Sequence, residues 1–455
     1  MRNYQNIIIG FGKGGKTLAG ALAKAGQTVA MVEKSNKMYG GTCINVACIP
    51  TKYLENQARS AEAAGGSFGE RSERYRKAIE GKRALTSGLR QKNFEKLDVL
   101  ANVDILTGTG SFTDSHHVQV VMEDGATEVL EGERIFINTG SYPFIPPIAG
   151  LAESRFSYTS ESMMEMEELP RRLLIIGGGY IGLEFASIFR NFGSEVTILQ
   201  DGPRFLPRDD EEVAAAVKKS LEERGVRIIT GAKITEVKDL ERAAVIRAEV
   251  DGAAYEAEGE AILVATGRRP NVQGLNLEAA GVKLTGRGEI ETDAGLRTSV
   301  PHIWAMGDVK GGLQFTYISL DDFRIVKSQI LGDGDRTVMN RGQVAFSVFV
   351  DPPFSRIGLS EAEAVAAGHK VKVGRLVVGT MPRAKLLGRT TGLMKAVVDG
   401  ETGLVLGAQL FCSESQELIN MIKLAMDAKL PYTVLRDGIY THPTMSEGMN
   451  DLFAI

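Results

Sequence analysis

The sequence contains two copies of a strand–glycine loop–helix pattern, and this repeat constrains the fold more than any other feature. The first copy runs from an apolar strand at residues 6–10 through GFGKGG into an alanine-rich helix. The second runs from LLII at residues 173–176 through GGGYIG into a helix that ends near residue 192. Glycines at G-x-G-x-x-G spacing allow a tight turn and place a pyrophosphate at the helix N-terminus. Their separation far exceeds a solenoid period, so the pattern predicts two dinucleotide-binding units.

The rest of the chain completes this organisation. An apolar strand ending in Thr-Gly follows each unit, as IFINTG up to Gly140 and ILVATG up to Gly267. From about residue 340 the pattern changes to short strands and a helix at 415–428. The predicted fold class is α/β, with two Rossmann-like dinucleotide-binding domains and a C-terminal α+β domain. The expected limits are 1–145 and 266–339 for the two parts of the first domain, 146–265 for the second domain and 340–455 for the C-terminal domain.

Composition narrows the classes of function. The net charge of −4 gives no basic field for nucleic acid or a membrane surface. No apolar run approaches the ~20 residues of a membrane helix, and the first residues lack a signal-peptide pattern. Three cysteines are too few for a secreted disulfide framework and favour a reducing compartment. We therefore expect a cytoplasmic protein without nucleic-acid or membrane partners.

The first glycine loop fits two motifs. The dinucleotide positions are held by Gly10, Gly12 and Gly15. Glu33 closes the next strand, where an acid accepts hydrogen bonds from a ribose 2′-hydroxyl. The same loop, continued through Lys16 and Thr17, matches G-x-x-x-x-G-K-[ST], the pattern of a P-loop NTPase. A P-loop explains neither Glu33 nor the second glycine loop, and no acidic magnesium-binding strand accompanies Thr17. Dinucleotide binding is favoured, and an NTPase is the remote alternative.

The second glycine loop lacks the usual ribose-binding acid. Its dinucleotide positions are held by Gly177, Gly179 and Gly182. At the end of the next strand, the position that usually holds the acid is occupied by Gln200, and Asp201 follows it. Glutamine still hydrogen-bonds a ribose, and Asp201 repels a 2′-phosphate, whereas Arg204 and Arg208 attract one. Taken together, these four residues favour NADH over NADPH. The alternative is that Arg204 and Arg208 lie in an ordinary solvated turn and bind no phosphate.

The segment GGTCINVACIPTK, at residues 40–52, places Cys43 and Cys48 five residues apart. In an ideal helix that spacing separates the Cα atoms by roughly 8–9 Å. A disulfide requires less than about 7 Å, so a bridged pair needs a distorted turn. The alternative is two buried structural thiols. No second ligand pair has zinc-site spacing, and no metal site is expected.

Together with the two loops, this segment resembles the flavin-dependent pyridine nucleotide–disulfide oxidoreductases, the family of lipoamide dehydrogenase, glutathione reductase and mercuric reductase. The resemblance covers the whole chain and includes ATG at 265–267, IWAMGD at 303–308 and HPTMSE at 442–447. Within the family, GFGKGGKTLA, CINVACIPTK, GGLQFTYISLDDFRIV and THPTMSEGMNDLF are most similar to the bacterial reactive-chlorine-resistance flavoproteins, which include hypothiocyanous acid reductases. Ala47 departs from the glycine usual between the two cysteines.

The resemblance implies two cofactors. FAD is expected in the first loop, with Glu33 on its ribose and Asp308 facing its ribityl–phosphate region. NAD(P)H is expected in the second loop, with Tyr180 as a mobile cover over the flavin. Lys52 is expected beside flavin N5, paired with Glu184. The remaining positions assigned to cofactor binding are Gly41, Thr42, Gly110, Thr139, Gly140, Gln200 and Gly267.

The resemblance also implies how the dithiol works. Hydride reaches the flavin from the nicotinamide, and the reduced flavin opens the Cys43–Cys48 bridge. Cys48 is the flavin-facing thiol and Cys43 the thiol that meets substrate. His442, one of five histidines, is expected to act as the base for the outer thiol and to be oriented by Glu447. In this family the histidine comes from the other subunit, so a homodimer is expected.

The predicted function is the NAD(P)H-dependent reduction of hypothiocyanous acid or a related small oxidant. The enzyme alternatives are a dihydrolipoamide dehydrogenase and a mercuric-type metal-ion reductase, although FTYISLDD differs from the usual lipoamide dehydrogenase segment. From another class, the alternative is a redox sensor whose flavin and cysteines switch a partner interaction. Cys412 is expected to be a buried small residue, and His116 and His117 to be loop residues without a catalytic role.

Overall fold

The computed structural model describes residues 1–455, which form two compact units. The first unit comprises Met1–Tyr53, Ile79–Phe144 and Gly267–Arg341. The second unit comprises Leu54–Ala78, Ile145–Thr266 and Gly342–Ile455. Residues 54–78 therefore belong to the second unit, whereas the expected limits of 1–145 place them in the first domain.

The strands and helices follow one another along the whole chain. The strands are β1 Arg2–Ile9, β2 Val29–Glu33, β3 Val103–Phe112, β4 His117–Met122, β5 Thr127–Ile137, β6 Ser141–Pro143, β7 Ser157–Thr159, β8 Arg172–Ile176, β9 Glu195–Leu199, β10 Val226–Ile229, β11 Lys233–Asp239, β12 Ala244–Val250, β13 Ala253–Gly259, β14 Ala261–Val264, β15 Arg268–Pro270, β16 Ile303–Ala305, β17 Phe346–Val348, β18 Phe354–Gly358, β19 Val371–Val377, β20 Leu393–Asp399 and β21 Val405–Phe411. The helices are α1 Lys13–Lys24, α2 Thr42–Asn45, α3 Cys48–Ala64, α4 Phe68–Asp98, α5 Ser160–Met163, α6 Tyr180–Phe192, α7 Glu211–Glu223, α8 Leu277–Ala280, α9 Thr316–Leu331, α10 Glu361–Ala366, α11 Pro382–Leu386, α12 Ser415–Asp427, α13 Thr433–Arg436 and α14 Gly448–Leu452.

The first unit is built on a sheet in which β1 is central. β2 and β5 flank β1 in parallel, β3 continues beyond β2, and β16 continues beyond β5. β4 runs antiparallel to both β3 and β5. Ile7 and Ile8 are fully buried on opposite faces of β1, as expected for a parallel sheet covered on both sides. This arrangement places the C-terminal end of β1, and the glycine loop that follows it, at the edge where α1 begins.

The second unit contains three sheets. β10, β9, β8, β14 and β7 form a parallel sheet in that order, and β11, β12 and β13 form an antiparallel one. The C-terminal residues form a five-stranded antiparallel sheet in the order β17-β18-β21-β20-β19, and residues of α12 such as Leu418 and Ile422 share its core. The predicted fold class, two dinucleotide-binding folds and a C-terminal α+β domain, is confirmed.

The first strand begins earlier than predicted, for a physical reason. β1 begins at Arg2 rather than residue 6, because its polar first residues pair with β5 from Leu130 onward, a partner 128 positions away. The charged stretch after residue 51 forms two helices, α3 and α4, with a break at Gly65 and Gly66, whose φ angles are +64° and +100°. No helix in the structure combines the length and the apolar character needed to cross a membrane.

Candidate active site

The first glycine loop has the geometry of a phosphate cradle. Gly10 adopts φ +106°, and a Cβ atom there would lie 2.4 Å from the Asn138 carbonyl oxygen. A Cβ atom on Gly15 would lie 2.5 Å from the Gly10 carbonyl oxygen. Gly12 is the N-cap of α1 and provides no side-chain cap. The start of α1 therefore offers backbone N–H groups and its positive dipole end to an anion.

The cysteine segment meets this loop backbone to backbone. Gly41 has φ +83°, and a Cβ atom there would lie 2.5 Å from Gly12 Cα. Thr42 begins α2, and its Oγ1 lies 3.9 Å from the position of a Cβ atom on Gly140. Thr139 Oγ1 donates a hydrogen bond to the Asn271 carbonyl oxygen at 2.7 Å. Three predicted cofactor-binding positions, Gly41, Thr42 and Gly140, thus come together around Gly12.

We expect a methyl group at Gly41 to abolish flavin binding, because it has no room between the cysteine segment and the first glycine loop. Gly41→Ala is therefore predicted to purify without the flavin absorbance of the wild-type protein. Gly125→Ala is the matched control, because Gly125 has the same φ of +83° but no atom within 4 Å of its Cβ position. That control should keep its flavin and lose only the roughly 1–2 kcal/mol cost of a left-handed residue. A fully flavin-loaded Gly41→Ala protein would contradict the assignment.

Two carboxylates flank the cradle. Glu33 accepts hydrogen bonds from the backbone N–H groups of Phe11 at 2.8 Å and Ser35 at 3.3 Å. Beyond it lies a cleft of about 480 Å³ lined in part by Lys34 and Thr107. Asp308 accepts a hydrogen bond from Ser141 Oγ at 2.7 Å. Burial raises the pKa of both Glu33 and Asp308.

Gly110 lies in a different environment from the loop glycines. Its Cβ position on β3 faces the side chains of Val32 at 3.2 Å and Ile9 at 3.5 Å. The absence of a side chain there lets neighbouring strands of the first sheet pack closely. The structure thus provides a packing reason for this glycine, and its assignment to cofactor binding stays a prediction.

The second glycine loop repeats the geometry of the first. Gly177 has φ +108°, and a Cβ atom there would lie 2.5 Å from the Ala265 carbonyl oxygen. A Cβ atom on Gly182 would lie 2.2 Å from the Gly177 carbonyl oxygen. Gly179 is the uncapped N-cap of α6 and has open space around its Cβ position. Gln200 is buried, and its amide donates to the Arg204 carbonyl oxygen at 2.6 Å, so it also shapes the loop after β9. Gly267, with φ +107°, likewise has no atom within 4 Å of its Cβ position.

The two cysteines lie on either side of a helix break. α2 ends at Asn45 and α3 begins at Cys48, with Val46 at φ −140° between them. The Asn45 amide holds this turn by donating to the Tyr39 and Gly41 carbonyl oxygens, at 3.0 and 2.9 Å. The distorted turn that a close cysteine pair requires is therefore present, and the thiols of Cys43 and Cys48 are within hydrogen-bonding contact.

No disulfide joins Cys43 and Cys48 in the structure, and the surroundings of the thiols set their acidity. The hydrogen bond with Cys48, and then burial, raises the pKa of Cys43 far above that of an ordinary thiol. Thr316 Oγ1, at the start of α9, lies 3.4 Å from Cys48 Sγ. A protonated Cys43 is a poor nucleophile, so the site needs a base to activate it.

Two lysines lie near this segment. The ammonium group of Lys52, on α3, donates to Thr51 Oγ1 at 3.4 Å. Lys16 Nζ donates to the Gly40 carbonyl oxygen at 3.1 Å and to Asn93 Oδ1 at 2.7 Å, and burial lowers its pKa to about 8. Lys16 thus supports the backbone just before the cysteines. In the sequence, Lys16 was part of the P-loop pattern, and that pattern did not predict its contacts with Gly40 and Asn93.

The candidate base lies in the second unit. His442 Nδ1 is 2.7 Å from Glu447 Oε2, a contact that fixes the orientation of the imidazole. The His442 side chain is 69% exposed, whereas Glu447 is 21% exposed. The predicted His–Glu pair is therefore formed, and its imidazole is exposed.

Other predicted residues have well-defined partners in the second unit. Glu184 Oε1 accepts a hydrogen bond from the Phe349 N–H at 2.9 Å. The Tyr180 hydroxyl donates to the Asp209 carboxylate, 3.2 and 3.1 Å from its two oxygens. Asp209, Thr316 and Lys16 were not assigned these contacts from the sequence, because each depends on a residue distant along the chain. Cys412 is fully buried, and burial raises its pKa to about 12.

Two dinucleotide cradles and a paired dithiol define an oxidoreductase that uses dinucleotide cofactors. Residues 4–322 match the pyridine nucleotide-disulphide oxidoreductase family, and residues 344–453 match the dimerisation domain of that family. The chain belongs to this family, as the resemblance indicated, and the P-loop NTPase alternative is wrong. Membership makes it a flavoprotein disulfide reductase and implies FAD and a nicotinamide dinucleotide as cofactors.

Individual relatives match nearly the full length of this chain. The chain is 46% identical to the probable pyridine nucleotide-disulfide oxidoreductase RclA of Escherichia coli K12, over 100% of both chains. It is 34% identical to a mercuric reductase of Staphylococcus aureus, over 98% of this chain and 81% of the relative. The structure of the HOCl-induced flavoprotein disulfide reductase RclA from Escherichia coli, solved as a Cu(II) complex, superimposes with a TM-score of 0.93 at 45% identity, covering 100% of this chain and 99% of that one.

Proposed function

We propose that this protein is an FAD-dependent NAD(P)H oxidoreductase that reduces hypothiocyanous acid, or a related small oxidant, through Cys43 and Cys48. The observation that carries the proposal is the contact between these two thiols across the break between α2 and α3. Further support comes from the full-length similarity to RclA, whose solved structure is described as HOCl-induced. A small oxidant needs only an accessible thiolate and a second thiol beside it.

The first cradle fits FAD. Its glycines leave space that a Cβ atom would fill, and the uncapped N-terminus of α1 suits a pyrophosphate. Glu33 would hold the ribose, and Asp308 the ribityl–phosphate region. When bound, FAD supplies the transfer of two electrons from a nicotinamide hydride to the cysteine pair. Lys52 would lie at the N5 end of the ring system, where its positive charge favours the thiolate form of Cys48.

The second cradle fits a nicotinamide dinucleotide, and we favour NADH. Gln200 and Asp201 stand where a 2′-phosphate would lie, and neither carries a positive charge. Arg204 and Arg208 are exposed and would attract that phosphate. Comparing kcat/KM with NADH and with NADPH in one assay decides between the two coenzymes.

The dithiol chemistry requires no large binding pocket. The Cys43 thiolate attacks the sulfur of hypothiocyanous acid, forming Cys43–S–SCN as hydroxide leaves and is protonated to water. The Cys48 thiolate then attacks the Cys43 sulfur, forms the disulfide and releases thiocyanate. The oxidant gains two electrons, and the two thiols become one disulfide. Reduction of that disulfide by the next NADH completes the cycle.

His442 supplies the base that Cys43 lacks. Its Nδ1 is held by Glu447, which leaves Nε2 to accept the thiol proton and stabilises the cation that results. We propose that His442 of the partner subunit serves each Cys43, consistent with the dimerisation domain at residues 344–453. The enzyme would then be active as a homodimer and incomplete as a monomer.

The decisive assay follows NADH oxidation with hypothiocyanous acid, lipoamide, Hg(II) and Cu(II) as separate acceptors. We expect fast turnover with hypothiocyanous acid and much slower turnover with the others. Preference for lipoamide would make the protein a dihydrolipoamide dehydrogenase, and preference for Hg(II) or Cu(II) would make it a metal-ion reductase. Flavin reduction by NADH without turnover on any acceptor would favour the redox-sensor alternative. Each of these three outcomes would overturn the proposal.

A further inference from the structure

Tyr180 is tied to an acid that lies outside both glycine loops. Its hydroxyl is 3.2 Å from Asp209 Oδ1 and 3.1 Å from Asp209 Oδ2. Burial, followed by the charge of Asp209, raises the pKa of Tyr180, so the phenol stays protonated and donates this hydrogen bond. At 3.1–3.2 Å this bond is longer than the roughly 2.5–2.7 Å of the strongest hydroxyl–carboxylate hydrogen bonds, so it can open at a modest cost in free energy.

Asp209 is in turn held by the C-terminal domain. It is 6% exposed, and Arg356 Nη1 on β18 lies 3.3 Å from its Oδ1. The other end of the Arg356 guanidinium binds Glu363 Oε2 on α10 at 2.6 Å. Asp209 therefore has a charged partner in the C-terminal domain in addition to Tyr180.

The phenol ring also contacts the C-terminal domain. Its centroid lies 5.3 Å from that of Phe346 on β17, with the ring planes tilted by 40°. Tyr180 is the first residue of α6 and directly follows Gly179, whose Cβ position is open. Tyr180, the residue assigned as a cover, is thus held through its hydroxyl by Asp209 and through its ring by Phe346. Both partners lie outside α6, the helix that begins at Tyr180.

From this arrangement we infer that Asp209 is a positioning residue that holds Tyr180 in place over the nicotinamide position, and that Arg356 anchors Asp209 to the dimerisation domain. We call the hydrogen bond between Tyr180 and Asp209 the latch. The inference rests on the proposed function, in which Tyr180 covers the nicotinamide position. The dinucleotide must then break this latch to bind. Its apparent Kd equals the intrinsic Kd divided by the fraction of molecules in which the latch is open. Asp209 accordingly sets coenzyme affinity without touching the coenzyme.

Two single variants and their combination test the latch. Tyr180→Phe removes the hydroxyl and keeps the ring, and Asp209→Asn removes the charge and keeps the shape. We expect each to lower the Kd of the flavin-loaded dimer for NAD⁺, measured by calorimetry, by about three- to tenfold. Asparagine at position 209 keeps one acceptor oxygen but loses the charge, so Asp209→Asn weakens the same hydrogen bond that Tyr180→Phe removes. Because both variants act on one bond, the double variant should bind NAD⁺ no more than slightly tighter than Tyr180→Phe alone. The KM for NADH should fall in parallel with the Kd for NAD⁺.

Glu212→Gln is the matched control. Glu212 is another acid of this segment that pairs with the C-terminal domain, through Arg375 at 2.7 Å, and it makes no contact with Tyr180. Its Kd for NAD⁺ should equal that of the wild type. Unchanged or weaker binding in both Tyr180→Phe and Asp209→Asn, or effects that multiply in the double variant, would overturn the latch. Failure of the wild-type flavin to be reduced by NADH would instead overturn the proposed function, so the two failures are distinguishable.

Discussion

Cys43→Ser is expected to lose oxidant turnover by about a thousandfold or more, while keeping its flavin and its reduction by NADH. Serine retains the shape of Cys43 and cannot form the sulfur–sulfur bond on which the proposed chemistry depends. Cys48 remains to accept electrons but has no partner thiol with which to close a bridge. Stopped-flow spectroscopy separates the two half-reactions, because flavin reduction is followed without oxidant and reoxidation is followed after oxidant is added.

Cys412→Ala is the control for this experiment. Cys412 is fully buried in the core of the C-terminal domain, and burial raises its pKa to about 12, so it should not react with the oxidant. Its turnover should match the wild type. Full turnover in Cys43→Ser would contradict a dithiol mechanism and would direct attention to direct oxidation of the reduced flavin.

His442→Gln is predicted to lower turnover by about 100- to 10,000-fold near neutral pH, the usual contribution of a general base. Glutamine removes the base and approximates the size of imidazole. The pKa of Cys43 is raised by its contact with Cys48 and by burial, so little thiolate forms without a base. Activity of the variant should therefore recover as the pH rises, because more Cys43 deprotonates on its own. A pH-independent loss would instead indicate a structural role.

Mixing the two inactive variants tests where the histidine acts. In a hybrid dimer of Cys43→Ser and His442→Gln chains, one site has an intact cysteine pair and faces an intact histidine of the other subunit. Random reassociation then restores roughly a quarter of the wild-type sites, since half the dimers are hybrids and each has one complete site. If His442 served its own subunit, no hybrid site would be complete and the mixture would stay inactive.

The sequence predicted the local geometry of the candidate site better than the long-range contacts that support it. Gly10, Gly12, Gly177 and Gly182 were identified because strained turns and close backbone approaches leave a local pattern of glycines. His442 and Glu447 lie five residues apart, and their 2.7 Å contact follows from that short separation. Such features are encoded locally, so a single sequence reveals them.

Contacts between distant segments left no such pattern. Thr316 reaches Cys48 across 268 positions, and Arg356 reaches Asp209 across 147. Each pair is brought together because the chain leaves a unit and returns to it much later in the sequence. From the sequence alone, Asp209 and Asp210 are equally good candidates for the N-cap of the following helix. Asp210 fills that role at the start of α7, and the sequence does not distinguish Asp209 as a partner of Tyr180.

The meeting of Gly41 with Gly12 has a consequence for how such a protein can diversify. With backbone against backbone, the spacing between the cysteine turn and the phosphate loop depends on atomic radii alone, and no choice of side chain can adjust it. New substrates must therefore be accommodated by residues that do not belong to this junction, such as the exposed segment around His442. In an evolving lineage the spacing between the flavin cradle and the cysteine pair would remain unchanged while the surface facing the acceptor varies.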